Sequence, residues 1–206
     1  MTRVRGLFVL AATAIAVAIV APAAFAAEYQ TIKGAEEAFA SKTISNEFTV
    51  GSEGSNAKIV CGVVTMKGIL KKSLTLSAQP SYENCKETFG IVKGGAKISI
   101  KNCKFEWGTQ KASGTGYVEA FVFGTTDPKL GKCVATITQE AFAGCVITVP
   151  EQTLGESVFQ ENVKEGLEAK AKVTGLTFTA SECLGLESGK TGTLTETQLT
   201  PGLKIA

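Results

Sequence analysis

The chain has 206 residues, with 21 basic and 19 acidic side chains, six cysteines and no histidine. The missing histidine excludes Ser-His-Asp and Cys-His hydrolysis, histidine-ligated metals and imidazole acid–base catalysis. It also leaves the cysteines without their usual catalytic base and without the common zinc partners.

Taken from the N-terminus, Arg3 and Arg5 precede an apolar run from Leu7 to Ala21, and Ala24-Phe25-Ala26 supplies small residues around a cleavage point. This order predicts a secretory signal peptide over residues 1–26, cleaved on export to the cell envelope or the medium. Both arginines leave with it, so residues 27–206 carry 19 lysines against 19 acidic groups. A neutral chain without guanidinium groups has neither a field nor a fork for phosphates, so no nucleic-acid partner is expected. No cysteine follows the cleavage point and no apolar tail ends the chain, so no membrane attachment is expected after cleavage.

Residues 27–45 read as an N-terminal extension, in which "GAEEAFAS" (34–41) suggests a turn or two of helix. Alternating apolar and polar residues then predict strands over 47–51, 57–66, 72–78, 96–107 and 116–124. Further strands are predicted over 132–139, 145–150, 167–175, 176–180 and 192–199, while "GESVFQENVKEG" (155–166) reads as helix or irregular loop. Many short strands and no long helix predict an all-β fold over residues 46–206, an antiparallel β-sandwich or barrel-like single domain. "NCKETFGIVK" (84–93) and "NCKFEWGTQK" (102–111) share Asn-Cys-Lys, an aromatic, a glycine and a lysine, as two strand ends with one turn chemistry would.

Cys61, Cys85, Cys103, Cys133, Cys145 and Cys183 all lie in the exported part and form no C-x-x-C. An even count outside the cytosol predicts three disulfides rather than a metal or redox centre. Three cysteines precede residue 125 and three follow it, so at least one bridge crosses that midpoint. The preferred pairing is Cys133–Cys145, Cys85–Cys103 and Cys61–Cys183. Period 2 puts Cys133 with Ala135 and Ile137, and Cys145 with Ile147 and Val149, so a hairpin would turn both thiols to one core. The last pair follows by elimination.

Other motifs are weak. "ESGKTG" (187–192) lacks the glycine a phosphate loop needs at position 184, which is Leu184. "SNAK" (55–58) matches Ser-x-x-Lys but leads into a strand. The one aspartate, Asp127, reads as a turn residue before Pro128. Glu106 and Glu119 lie on predicted strands beside aromatics and are candidates for a glycosidase pair. Trp107 shares a face with Cys103 and Phe105 and is expected in the core, its alternative being a sugar-stacking platform. Tyr82 is expected to be buried with its hydroxyl bonded to backbone. Phe142, at the apolar tip between Cys133 and Cys145, is either tucked back or held out for a partner.

"PSYENC" (80–85), "NCKFEW" (102–107), "GKC" (131–133), "CVITVPEQ" (145–152) and a late "LTFTA" before Cys183 together resemble a family of exported bacterial six-cysteine β-proteins without an established activity. The resemblance implies a disulfide-stapled β fold and carries no catalytic residue. The expectation is therefore an exported, non-enzymatic binding or structural module that needs no cofactor or metal. Its partner would be an envelope component, a glycan or a protein. The alternatives are a carbohydrate-binding module, a protease inhibitor presenting Lys129 on the loop 125–132, and a glutamate-pair glycosidase.

Overall fold

The computed structural model describes residues 29–31, 37–52, 55–70, 76–107, 111–113 and 116–205; the predicted signal peptide lies outside them. Alternation of β-branched with charged residues is carried into strands far longer than their sequence signals. They are β1 (Tyr29–Thr31), β2 (Glu37–Ala40), β3 (Lys42–Ser52), β4 (Ser55–Leu70), β5 (Leu76–Phe89), β6 (Val92–Lys101) and β7 (Cys103–Trp107). There follow β8 (Lys111–Ser113), β9 (Gly116–Thr125), β10 (Val134–Gln139), β11 (Val146–Pro150), β12 (Gln152–Val163), β13 (Gly166–Ser181), β14 (Gly189–Pro201) and β15 (Leu203–Ile205).

Each strand pairs antiparallel with its neighbours, and β14 returns to β3, so the sheet closes into an eight-stranded barrel with extra strands. Three of the eight wall positions hold broken strands: β6 then β7, β9 then β10, and β11 then β12. Strand β5 pairs with β6 from Cys85↔Ala96 to Phe89↔Val92 and with β7 from Leu76↔Trp107 to Ala78↔Phe105. Between those ladders, residues 79–83 pair with β4 alone. Opposite, β13 pairs with β11 at its far end and with β12 at its near end. Closure leaves no long free edge. Most inward positions are apolar, among them Ile59, Val64, Ile137, Ile147, Val173 and Phe178, while Lys58, Lys67, Lys86 and Lys97 point out to solvent.

Three expectations are corrected. Glu37–Ala40 is a strand laid along the end of β4, because a helix of one or two turns is marginal alone and the β4 edge offers a ladder. Residues 155–166 form most of β12 and its turn; Val158 and Gln160 point inward, and register breaks at Leu154/Glu156 and Glu156/Val158 hide the alternation. The described residues of the expected extension 27–45 pair with the rest of the fold, β1 with β15 and β2 with β4, and β3 begins at Lys42.

The preferred cysteine pairing is also overturned. The bridges are Cys61–Cys85, Cys103–Cys133 and Cys145–Cys183, and the second crosses the midpoint as parity requires. In the β10–β11 hairpin, Val134 faces Pro150 and the Gln139 N–H reaches the Cys145 carbonyl, so Cys133 and Cys145 lie at opposite ends, about 20 Å apart. Both are buried as period 2 implies, but toward different partners. Cys61 and Cys85 face each other across β4 and β5, which excludes both Cys85–Cys103 and Cys61–Cys183. With sequence separations of 24, 30 and 38, each bridge contributes about 3.5–4 kcal/mol in the chain-entropy account.

Three non-glycine residues have left-handed backbone, Asn84 (φ 54°), Asn102 (φ 52°) and Glu182 (φ 55°), and each immediately precedes a bridged cysteine. The shared Asn-Cys of the two similar segments is therefore a shared backbone turn. Asn102 also anchors the loop after β9. Its Nδ2 donates to Thr125 Oγ1 (2.8 Å) and to the carbonyls of Asp127 (2.8 Å) and Gly131. Its Oδ1 accepts from the Asp127 N–H (3.1 Å) and the Thr126 hydroxyl.

Non-reducing peptide maps are expected to recover the three bridges above and no Cys133–Cys145 peptide. Asn102→Ala is expected to cost about 2–3 kcal/mol in urea unfolding, from lost hydrogen bonds and a left-handed alanine. Asn102→Gly should recover about 1 kcal/mol of that; equal costs for the two would refute the backbone share.

Candidate functional site

Where β5 and β6 share no ladder, the barrel centre is incompletely filled. A cavity of about 70 Å³ lies there, walled by Phe48, Tyr82, Ile98, Ile137, Leu176 and Leu194 together with other apolar side chains of β6, β7, β9, β10 and β11. By volume it would hold about five waters, but an apolar cavity stays dry. Phe105 and Phe123 pack edge to face beside it, ring centres 5.6 Å apart.

Tyr82 is the exception to the apolar lining. It is half-buried and lines the cavity. The expected hydrogen bond from its hydroxyl to backbone is not seen among the described residues, and its side chain is one of those that line the cavity. Burial, and next the Glu196 carboxylate, hold its phenol well above the ordinary value of 10.0, so it remains a donor.

Phe105 and Leu194 also wall a smaller void of about 10 Å³ that reaches Glu196 and Gln198. Strand β14 turns Leu194, Glu196, Gln198 and Thr200 inward, so three of these four inward residues are polar. Gln198 Nε2 donates to Glu196 Oε1 and to Thr43 Oγ1 (2.9 Å), while its Oε1 accepts from the Ser41 hydroxyl (2.7 Å). Ser41 Oγ in turn accepts from the Met66 N–H (3.2 Å). Glu196 Oε2 is buried without a partner. Burial raises the Glu196 carboxyl from 4.5 to about 7, against the lowering effect of Gln198.

A second buried carboxyl, Glu87, sits at the other end of the barrel under the turn after β10. Burial raises it to about 7; the nearby Ala141 N–H opposes this without hydrogen-bonding geometry, and Glu140 adds to it. Gly94 and Gly95 let that turn close down, since a Cβ at either would strike Ala141 or Glu140. Phe142 is tucked back, half-buried and edge-on to Phe89 with ring centres 5.5 Å apart.

The remaining candidates do not converge. Glu106 is half-buried and paired with Lys104 at 2.5 Å. For Glu119 and Trp107 only the backbone is described, on β9 and β7; the Trp107 side chain, and with it the choice between core and platform, lies outside the described residues. Glu87 is only 2% exposed, out of reach of a sugar ring. Lys129 lies in a 3-10 turn, Pro128–Leu130, capped by Asp127 through its N–H at 2.9 Å, and not in the extended backbone that enters a protease groove. Among the described residues no three cysteine, aspartate or glutamate side chains could hold a metal ion together.

Fold and cavity define a disulfide-braced, up-and-down antiparallel barrel with an apolar interior. Comparisons with protein-family profiles, with curated proteins and with solved structures find no match.

Because the folded state keeps the Glu196 proton that the unfolded chain releases above about pH 4.5, the contribution of Glu196 is complete below that pH and is lost as pH rises to about 7. The loss is on the order of 3 kcal/mol. Thermal unfolding across pH 4–8 should show a steeper fall in the native protein than in Glu196→Gln, where only the share of Glu87 remains; the same slope in both would exclude Glu196 as a source.

Proposed function

We propose that the protein is an exported, non-enzymatic binding module that holds a small apolar molecule inside its barrel. The cavity carries this reading. A well-packed interior leaves few voids larger than a water, yet here the barrel wall parts and strands from all round it line one apolar space. Small-molecule sites are concave and mostly apolar with few polar groups, and Tyr82 is such a group in such a lining. Export is supported by the leader-like residues 1–26 and by three disulfides, which persist in oxidising compartments. The resemblance drawn from the cysteine spacing agrees with this address and adds no activity.

Benzene or cyclohexane titrated into the purified protein is expected to shift the methyl resonances of Ile98, Ile100 and Ile137. At ten times Kd it should stabilise the fold by about 1.4 kcal/mol, raising Tm by about 3–5 °C. Ala135→Leu, whose side chain enters the cavity, should abolish both responses while keeping the circular dichroism and the bridges. An unresponsive native protein would mean a void only and would sink this reading.

A further inference from the structure

We propose that the barrel takes the tail of a single-chain amphiphile through its wall, between β5 and β6, and holds the anionic head outside on Lys97 and Lys101. This rests on the binding reading above and adds to it an entry side and a ligand class.

The entry side follows from the pairing. Between Cys85↔Ala96 and Ala78↔Phe105 no ladder joins the two edges, and eight residues, 97–104, face six, 79–84. The longer run has backbone to spare on this side, and its residues 97–101 pair with β10 alone. The cavity lies directly behind, since Tyr82 lines it from one edge and Ile98 and Ile100 from the other. Four lining residues are half-buried and three of them are these; Phe48 is the fourth, and the rest are buried. The cavity therefore reaches the surface here.

Period 2 sets the head group. The residues that alternate with Ile98 and Ile100 are Lys97, Ser99 and Lys101, all exposed on the outer face of the same edge. Neither lysine has an ion pair among the described residues. Lys104 is paired with Glu106, which leaves Glu83 as the one acid across the gap, so the mouth is cationic by two charges to one. Lysine lays its methylene stem along apolar surface and keeps its ammonium in water, where it can meet a head group. At about 70 Å³ the cavity takes only the end of a chain, so a longer molecule has its head at this mouth. An anionic head stays outside, because no cationic side chain lines the cavity to receive it. A cationic head would face two lysines.

Octanoate, 1-octanol and octylammonium share a tail and differ in head. By NMR titration at low salt, the native protein is expected to bind octanoate tightest and octylammonium weakest, with the Ile98 and Ile100 methyl resonances shifting. Neutralising the mouth with Lys97→Gln and Lys101→Gln should weaken octanoate about fivefold, the worth of two exposed ion pairs, and leave octanol within about twofold. Added salt should weaken octanoate likewise in the native protein. Lys172→Gln with Lys190→Gln makes the same charge change on β13 and β14, across the barrel, and should leave octanoate within about twofold. Retained octanol binding reports an intact cavity in each variant. Octanoate no tighter than octanol or octylammonium, no loss from neutralising the mouth, or an equal loss from the distant pair would overturn the proposal and leave the binding module standing. Failure of the native protein to bind any of the three, and cyclohexane as well, would overturn the binding module itself.

Discussion

Wherever the wall of this barrel parts, backbone N–H and C=O groups lose their ladder partners beside an apolar interior, and they must find others. At three such places side-chain amides supply them. Gln152 meets both backbone groups of Thr177, accepting at 2.8 Å and donating at 3.1 Å, where β13 passes from β12 to β11. Asn46 does the same for Cys61 between β3 and β4, at 2.7 and 2.6 Å. Asn162 does so for Ile205, tying the last strand to β12 at 2.9 and 2.7 Å. Each amide stands in for a strand residue, so the sheet can open locally without an orphaned backbone.

The disulfides and the amides share the work. Cys103–Cys133 spans the break between β6 and β7 and the loop that separates β9 from β10, beside the Asn102 cluster. Cys145–Cys183 ties the end of β13 to the start of β11, where their ladder is only three pairs long. Bridges therefore sit where pairing is thin, except Cys61–Cys85, which faces across a long ladder. The least paired region of the wall, residues 79–84, has neither a bridge nor an amide on its β6 side, and there Tyr82 meets the cavity.

Much of the architecture was legible in period 2. Residues 134–139 and 146–150 alternate inward and outward as their sequences imply, and Cys133 and Cys145 both face the core. What alternation could not carry was partnership. A hairpin register places two cysteines together or at opposite ends, and only the observed turn, with the Gln139 N–H on the Cys145 carbonyl, decides between them. The strand at 152–163 was hidden because its register breaks shift the inward residues. The interior polar groups were hidden for a related reason: "TLTETQLT" is polar at nearly every position, so neither face declares itself as the core side. A tyrosine two residues before a left-handed asparagine was the available signal for the cavity, and it carries meaning only once the gap beside β5 is known.

The three bridges link the first cysteine to the second, the third to the fourth and the fifth to the sixth. Their loops neither nest nor interlock. In a chain that emerged N-terminus first into an oxidising space, each odd-numbered thiol would meet its native partner as the next thiol to emerge, one connectivity out of fifteen. A left-handed residue before one cysteine of every pair turns the backbone at that point, so the local geometry of capture is encoded beside the thiol itself.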